Sequence, residues 1–155
     1  MAQGHAALIV DTNFDTFQWC LHACIALDYA PSDIIVIDLA QPQYGVPVFD
    51  PLRMSGIPPY VCVDSLLACC RGIWRDSWGA RMEDCLRHLF LTLQAADFPL
   101  SYALPFLENE KAHKLILQKT NDYELENFWE YFFKTHRADV ESSRNKLSSF
   151  LLNPF

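Results

Sequence analysis

Three aspartates sit where chemistry on a phosphate could begin: Asp11, Asp15 and Asp38. Asp11 closes the run "HAALIVD" and Asp38 closes "DIIVID", each at the end of a short apolar stretch. Acids at the carboxyl ends of buried strands face the crevice in which α/β sheets collect ligands. A carboxylate there can position an attacking water or a Mg²⁺ ion beside a γ-phosphate. The same Asp11 can equally cap the helix that follows, a contact worth ~1 kcal/mol. Thr12 and Asp15 have the spacing of a capping box, so Asp15 also reads as the reciprocal half of a cap. Asp38 reads as a turn residue.

The phosphate grip that such acids would serve is missing. A phosphate loop needs glycine-rich backbone whose N–H groups converge on the anion, then Lys and Ser/Thr. The chain has five glycines and no G-x-x-x-x-G-K-[ST], and no apolar strand ending in Asp-Glu. By itself it is expected not to hydrolyse ATP.

Other reactive side chains form no familiar array. Cys20 and Cys24 lie one helical turn apart and could in principle chelate a metal with His22 or His5, but no second pair has zinc-ligand spacing. Small thiols buried in a reducing compartment account better for the six cysteines. His22, His88, His113 and His136 are scattered, with no nucleophile arrangement evident from spacing.

A second concentration of chemistry is "RGIWRDSWGARMEDCLR", residues 71–87. Its arginines (Arg71, Arg75, Arg81, Arg87) can stack on Trp74 or Trp78 or pair with Asp76, Glu83 or Asp84. One reading makes Trp74 and Trp78 the anchors of a tight helix–helix corner, with Gly79 permitting the turn. The other makes Trp74, Trp78, Arg81, Glu83 and Asp84 an interface with a neighbouring subunit.

The elements that would position these groups follow from periodicity. Ala6–Val10 and Ile34–Ile37 read as strands covered on both faces, joined by a helix from about Asn13 to Asp28 that is apolar almost all round. Such a pair should be parallel, and two strands alone cannot cover their faces and edges. Residues 40–59, rich in Pro and Gly, read as an ordered loop. Beyond it, helices are expected around 60–74, 80–95, 109–119, 121–133 and 139–151, with a short helical turn near 101–107. Asn109 and Asn121 read as caps, and the face Leu125, Phe128, Trp129, Phe132, Phe133 as core rather than a base-stacking platform.

Composition narrows the function. Half the residues are apolar and 20% are charged, which excludes a disordered chain. The apolar runs are all broken well short of the ~20 residues that span a bilayer, and the first residues lack the pattern of a signal peptide. A cytoplasmic protein is expected. Net charge is −7, with no basic stripe, so a direct grip on nucleic acid is not expected.

Several pieces, in order, resemble one family. "GHAALIVDTNFD" resembles the first core strand and following acids of coupling-protein (TraG/TraD-like) and HerA/FtsK-like DNA-translocating ATPases of conjugation and type IV secretion. "DIIVIDLAQPQYGVPVFDPLR" is similar to the second strand and the stretch after it. "IWRDSWGARMEDCLRHLFLTL", "FW" at 128–129 and "NKLSSFLLNP" at 145–154 are similar to later family signatures. Two positions depart: the family's Lys-Gly after the aspartate is Asn13-Phe14, and the Asn of its F-N-P-L is Asp50.

The resemblance implies the segment between the family's two nucleotide motifs. The fold would be α/β with predominant helix. A partial RecA-like β-α-β core (1–59) would precede an all-helical insertion of about five helices (60–155). Asp11 and Asp15 would border a nucleotide pocket, with ATP and Mg²⁺ held by residues outside this chain. The partners implied are the remainder of the motor polypeptide, further copies in a homo-oligomeric ring, and DNA only indirectly. The alternative is a stand-alone helical interaction module that has lost the motor.

Overall fold

Helix-forming sequence dominates the chain, and the computed structural model describes residues 7–12, 15–38 and 49–152. The chain divides into two units, 1–47 and 48–155.

In the first unit, helix α1 (Asp15–Ala26) begins with an acid in its first turn. Its far end is closed by Asp28 in the left-handed region (φ 58°). Tyr29 N–H donates to the Cys24 carbonyl and Asp28 N–H to that of Ile25, the paired bonds of a Schellman cap. An aspartate tolerates this conformation because its short polar side chain bonds locally. A single helical turn, Pro31–Asp33, follows.

The expected β-α-β core is not shown among the described residues. No described residue is in a strand, and among the described residues no ladder hydrogen bond joins 7–10 to 34–38. Apolar continuity in "ALIV" and "IIVI" records a demand for burial on both faces. It cannot supply the neighbouring strands that a parallel ladder needs. Nor does α1 bury any residue, although its sequence is apolar on nearly every side.

The second unit has a closed core. Pro59 occupies the first turn of α2 (Pro59–Ile73), where its missing N–H costs nothing. Helix α2 turns Cys62, Val63, Leu66, Leu67 and Cys70 inward. A turn at Arg75–Ser77 leads to α3 (Ala80–Ala95). This helix packs against all the others in the unit: α2, α4 (Ala103–Glu108), α5 (Glu110–Thr120), α6 (Tyr123–Thr135) and α7 (Arg137–Leu151). Central position explains why Cys85, Leu86, Leu89, Phe90 and Leu93 are wholly enclosed.

Caps set the boundaries. Asn109 accepts from the amides of Lys111 and Ala112 at the start of α5, as its sequence predicts. At α6 the cap is Asp122, which accepts from Glu124 and Leu125, and not Asn121. Asn121 instead ends α5 with φ 49°. Asp97 (φ 57°) closes α3 the same way. Three left-handed positions are thus filled by Asp or Asn in a glycine-poor chain.

Residues 49–58, grouped by sequence with the first section, pack with the helical unit. Leu52 is 1% exposed within its core. The Gln94 amide donates to the carbonyls of Leu52 (2.9 Å) and Pro59 (3.0 Å) and pins the segment to α3.

Candidate functional site

Asp11 is half-buried and its Oδ2 accepts the Phe17 N–H at 2.8 Å. The acceptor thus reaches across six residues to satisfy one of the amide donors that the first turn of α1 leaves open. Asp15 stands exposed in that same first turn, where a carboxylate favours the helix dipole. Asn13 and Phe14 lie outside the described residues. Asp38 is half-buried at the end of the second apolar segment.

The tryptophan–arginine corner is brought together as one network. Trp74 and Trp78 stack at 6.4 Å between centroids, and Phe150 of α7 meets Trp74 edge-on at 6.5 Å. Glu83 is the hub. Its Oε2 accepts from Trp78 Nε1 at 2.9 Å and from Arg71 Nη2 at 2.6 Å, while its Oε1 lies 3.7 Å from Arg87. Arg87 continues to Asp64 on α2 at 2.6 Å. The chain of charges therefore laces α2 to α3, and Arg71 sits 5.9 Å over the Trp78 ring.

Arg81 and Asp84 stand apart from this hub. Arg81 is exposed and only loosely paired with Asp139 of α7 at 3.9 Å. Asp84 lies beside His88 at 3.2 Å on the same helix. Of the five candidate interface residues, then, Trp74, Trp78 and Glu83 act together within the chain.

Hydrogen bonds from Trp78 and then Arg71 hold the Glu83 carboxyl below the usual glutamate range. A carboxylate with a depressed folded-state pKa gives stability that is present above its ordinary value and lost as pH falls through the folded value. Glu83→Ala is therefore expected to destabilise the helical unit by ~1–2 kcal/mol near pH 7, since charge-assisted bonds are partly screened at a half-exposed site. The difference between the variant and the parent should shrink as pH falls below the ordinary glutamate value and through the lower folded value. Urea unfolding over a series of pH values falling from 7 checks both; a difference that stays undiminished to the lowest pH at which the unit is folded would assign the loss to packing.

Two features gain a role that sequence reasoning did not give them, Asp50 entering there only as a departure from the family pattern and His113 only among scattered histidines. Asp50 Oδ1 accepts from the Leu52 amide at 3.1 Å and the Leu100 amide at 3.5 Å, and its Oδ2 lies 3.2 Å from Arg53 Nε. Arg53 in turn donates to the Asp97 carbonyl at 2.8 Å. The clasp ties residues 49–53 to the α3–α4 connection, and the Asp-Pro pair at 50–51 was its available signal. An asparagine there would keep the amide contacts but not the ion pair.

His113 is the second. Its ring lies 4.4 Å from Phe106 and 4.8 Å from Phe133, and burial holds its pKa below the ordinary imidazole value. Thiols behave similarly: burial pushes Cys70 and Cys85 up to about 11, which keeps them unreactive. Cys69 is exposed, against the expectation of buried thiols throughout, while Cys20 and Cys24 are half-buried. Among the described residues no group of His, Cys, Asp or Glu is arranged to hold a metal ion.

The first unit has a surface of unusual character. Residues 1–47 contain five aspartates and no lysine or arginine. Leu8 is 90%, Val10 83% and Ile35 86% exposed, and their neighbours Ile9, Val36 and Ile37 are open as well. Consecutive exposed residues in an extended stretch leave both faces uncovered. No helix among the described residues is long and apolar enough to cross a membrane.

Comparison with protein-family models, curated proteins and solved structures gives no match.

Proposed function

We propose that this chain is the middle section of a coupling-protein/HerA-FtsK-like DNA-translocating ATPase that works in the cytoplasm. It is non-catalytic on its own and contributes ring assembly and contacts with substrate or accessory proteins. The observation that carries this reading is the pair of apolar segments, 7–10 and 34–38, exposed on both faces around α1. Exposed apolar surface of this extent marks an interface, and each segment has the composition of a central strand. The remainder of the motor would supply the neighbouring strands. The collinear motifs support the same assignment.

The residues of this chain do not by themselves fit a magnesium nucleotide. Asp11 is engaged by the Phe17 amide, and the sequence has no glycine-rich cradle for phosphate. ATP and Mg²⁺ would be held elsewhere in the parent polypeptide. DNA would be contacted indirectly, since the net charge of −7 offers no phosphate-neutralising stripe.

The experiment is twofold. The purified 155-residue chain should hydrolyse ATP at the buffer rate, and the reading frame around it should encode a phosphate loop upstream and an apolar strand ending in Asp-Glu downstream. Turnover by the chain alone, or a frame without either motif, contradicts the proposal.

One observation favours the second reading, a helical interaction module. Residues 49–152 enclose their own core, with Leu89, Phe90 and Trp129 fully buried. Under that reading the chain sediments as a monomer or closed dimer, unaffected by ATP.

A further inference from the structure

Of the helices in the second unit, α5 buries the least: Ile116 alone is fully enclosed. Its inward stripe is His113, Ile116, Leu117 and Thr120, at helical spacing. His113 is the titratable member of that stripe, and it sits in a cage of rings. Phe106 of α4 lies 4.4 Å from it between centroids. Phe133 and Trp129 of α6 lie at 4.8 Å and 6.3 Å, each perpendicular to the imidazole at 89°. The histidine therefore stands where α5 meets two of its neighbours.

This cage suits a neutral ring. Nδ1 is enclosed and makes no hydrogen bond among the described residues. A neutral imidazole can carry its proton on Nε2 and leave Nδ1 bare; an imidazolium has a donor on both nitrogens. The Phe106 backbone favours the charged form, but burial outweighs it. The charges acting on the ring are Lys114 and Glu110 of its own helix, with opposite effects, and none comes from α3, α4 or α6. Those two pair with each other at 2.6 Å. The acids of the neighbouring helices are engaged as well, Glu108 beside Arg144 and Glu130 with Lys134. No spare carboxylate is at hand to receive an imidazolium.

We propose that α5 is an acid-released latch: a proton on His113 loosens the helix from the unit and uncovers the rings of Phe106, Trp129 and Phe133. With Ile116 the one enclosed residue, α5 has little else to hold it once the histidine prefers water. In the released state the imidazole is solvated and titrates near its ordinary value of about 6.5. The closed state binds a proton less readily, so release is favoured as pH falls below that value and levels off beneath the lower closed-state value. Above it the latch stays shut. The latch is independent of any motor assignment.

The test uses the full chain in two measurements. The His113 ring resonances, followed by NMR from pH 8 to pH 5, should titrate with a midpoint below about 6.5. Amide exchange, corrected for its intrinsic pH dependence, should speed up in α5 relative to α3 by up to about tenfold between pH 7 and pH 5.5, the limit for one proton. His113→Phe keeps a ring in the cage without a proton site and should flatten that response, whereas His88→Gln and His136→Gln should leave it in place. A midpoint at or above about 6.5 would show that the ring faces hold the imidazolium, and would overturn the latch. So would α5 exchange that keeps pace with α3 at every pH, a full response in His113→Phe, or its loss in either of the other variants. If His113→Phe fails to fold, the ring titration and the exchange of the parent chain decide.

Discussion

Replacing Trp129 with alanine is expected to lower the unfolding free energy of the helical unit by ~3–5 kcal/mol. Trp129 is fully buried on α6. It sits within 4.9 Å of the Phe106 ring, 5.2 Å of Phe128 and 5.5 Å of Phe133, so truncation leaves a void bounded by three rings. The indole also bonds: its Nε1 donates to Thr92 Oγ1 at 2.8 Å, and that hydroxyl donates to the His88 carbonyl at 2.7 Å. Thr92 is itself wholly buried, so losing Trp129 strips a partner from an enclosed hydroxyl. Set against a typical domain stability of ~5–15 kcal/mol, the loss approaches unfolding. Trp129→Phe retains most of the volume and should cost roughly half as much or less. Urea midpoints for both variants, at unchanged denaturant slope, check the expectation. A loss below ~1 kcal/mol for alanine would mean that this aromatic cluster is not the unit's core.

The second large effect concerns association. Serine at Leu8, Val10, Ile35 and Ile37 together is expected to leave the helical unit's unfolding within ~1 kcal/mol of the parent, because exposed side chains contribute little to the fold. The same four changes should weaken whatever binds these segments by roughly a hundredfold or more, since each apolar side chain is worth ~1.5–3 kcal/mol on burial. Sedimentation velocity over a concentration series reads this in the chain itself. Five aspartates without a cation make two such surfaces repel, so association of the parent should rise with added salt as the repulsion is screened. Large destabilisation of the unit with no change in association would show that the segments belong to its core.

Much of the helical unit was legible because its signals are local. Asn109 sits one residue before a good helix former, and the Leu125, Trp129, Phe132 spacing marks one buried stripe of α6. Cap choice was harder. Asn121 and Asp122 both suit a helix start, and the choice depended on which residue would take the left-handed turn closing α5. The place of residues 49–58 was not legible, because Leu52 is buried through packing with distant elements and a Gln94 contact forty-two residues away. Strand pairing was not legible for a different reason. "ALIV" and "IIVI" state that both faces want cover, but a hydrogen-bonded ladder depends on partners that local composition does not specify.

The candidate site divides the same way. Glu83 and Arg87, at helical spacing, could be paired from sequence. The reach of Glu83 to Trp78 and Arg71 could not, because it depends on how tightly the α2–α3 turn closes. Asp11 kept two readings in the sequence. The contact with Phe17 realises one of them, the helix cap.

Amide hydrogen exchange at residues 7–10 and 34–38 tests the central claim most directly, measured in the 155-residue chain and in the uninterrupted polypeptide its reading frame encodes. The account expects rapid exchange in the chain, where no ladder bonds form between these segments, and a slowing of roughly a thousandfold or more once neighbouring strands flank both. Slow exchange in the chain alone, unchanged exchange in the longer polypeptide, or a frame that adds no further sequence would contradict it.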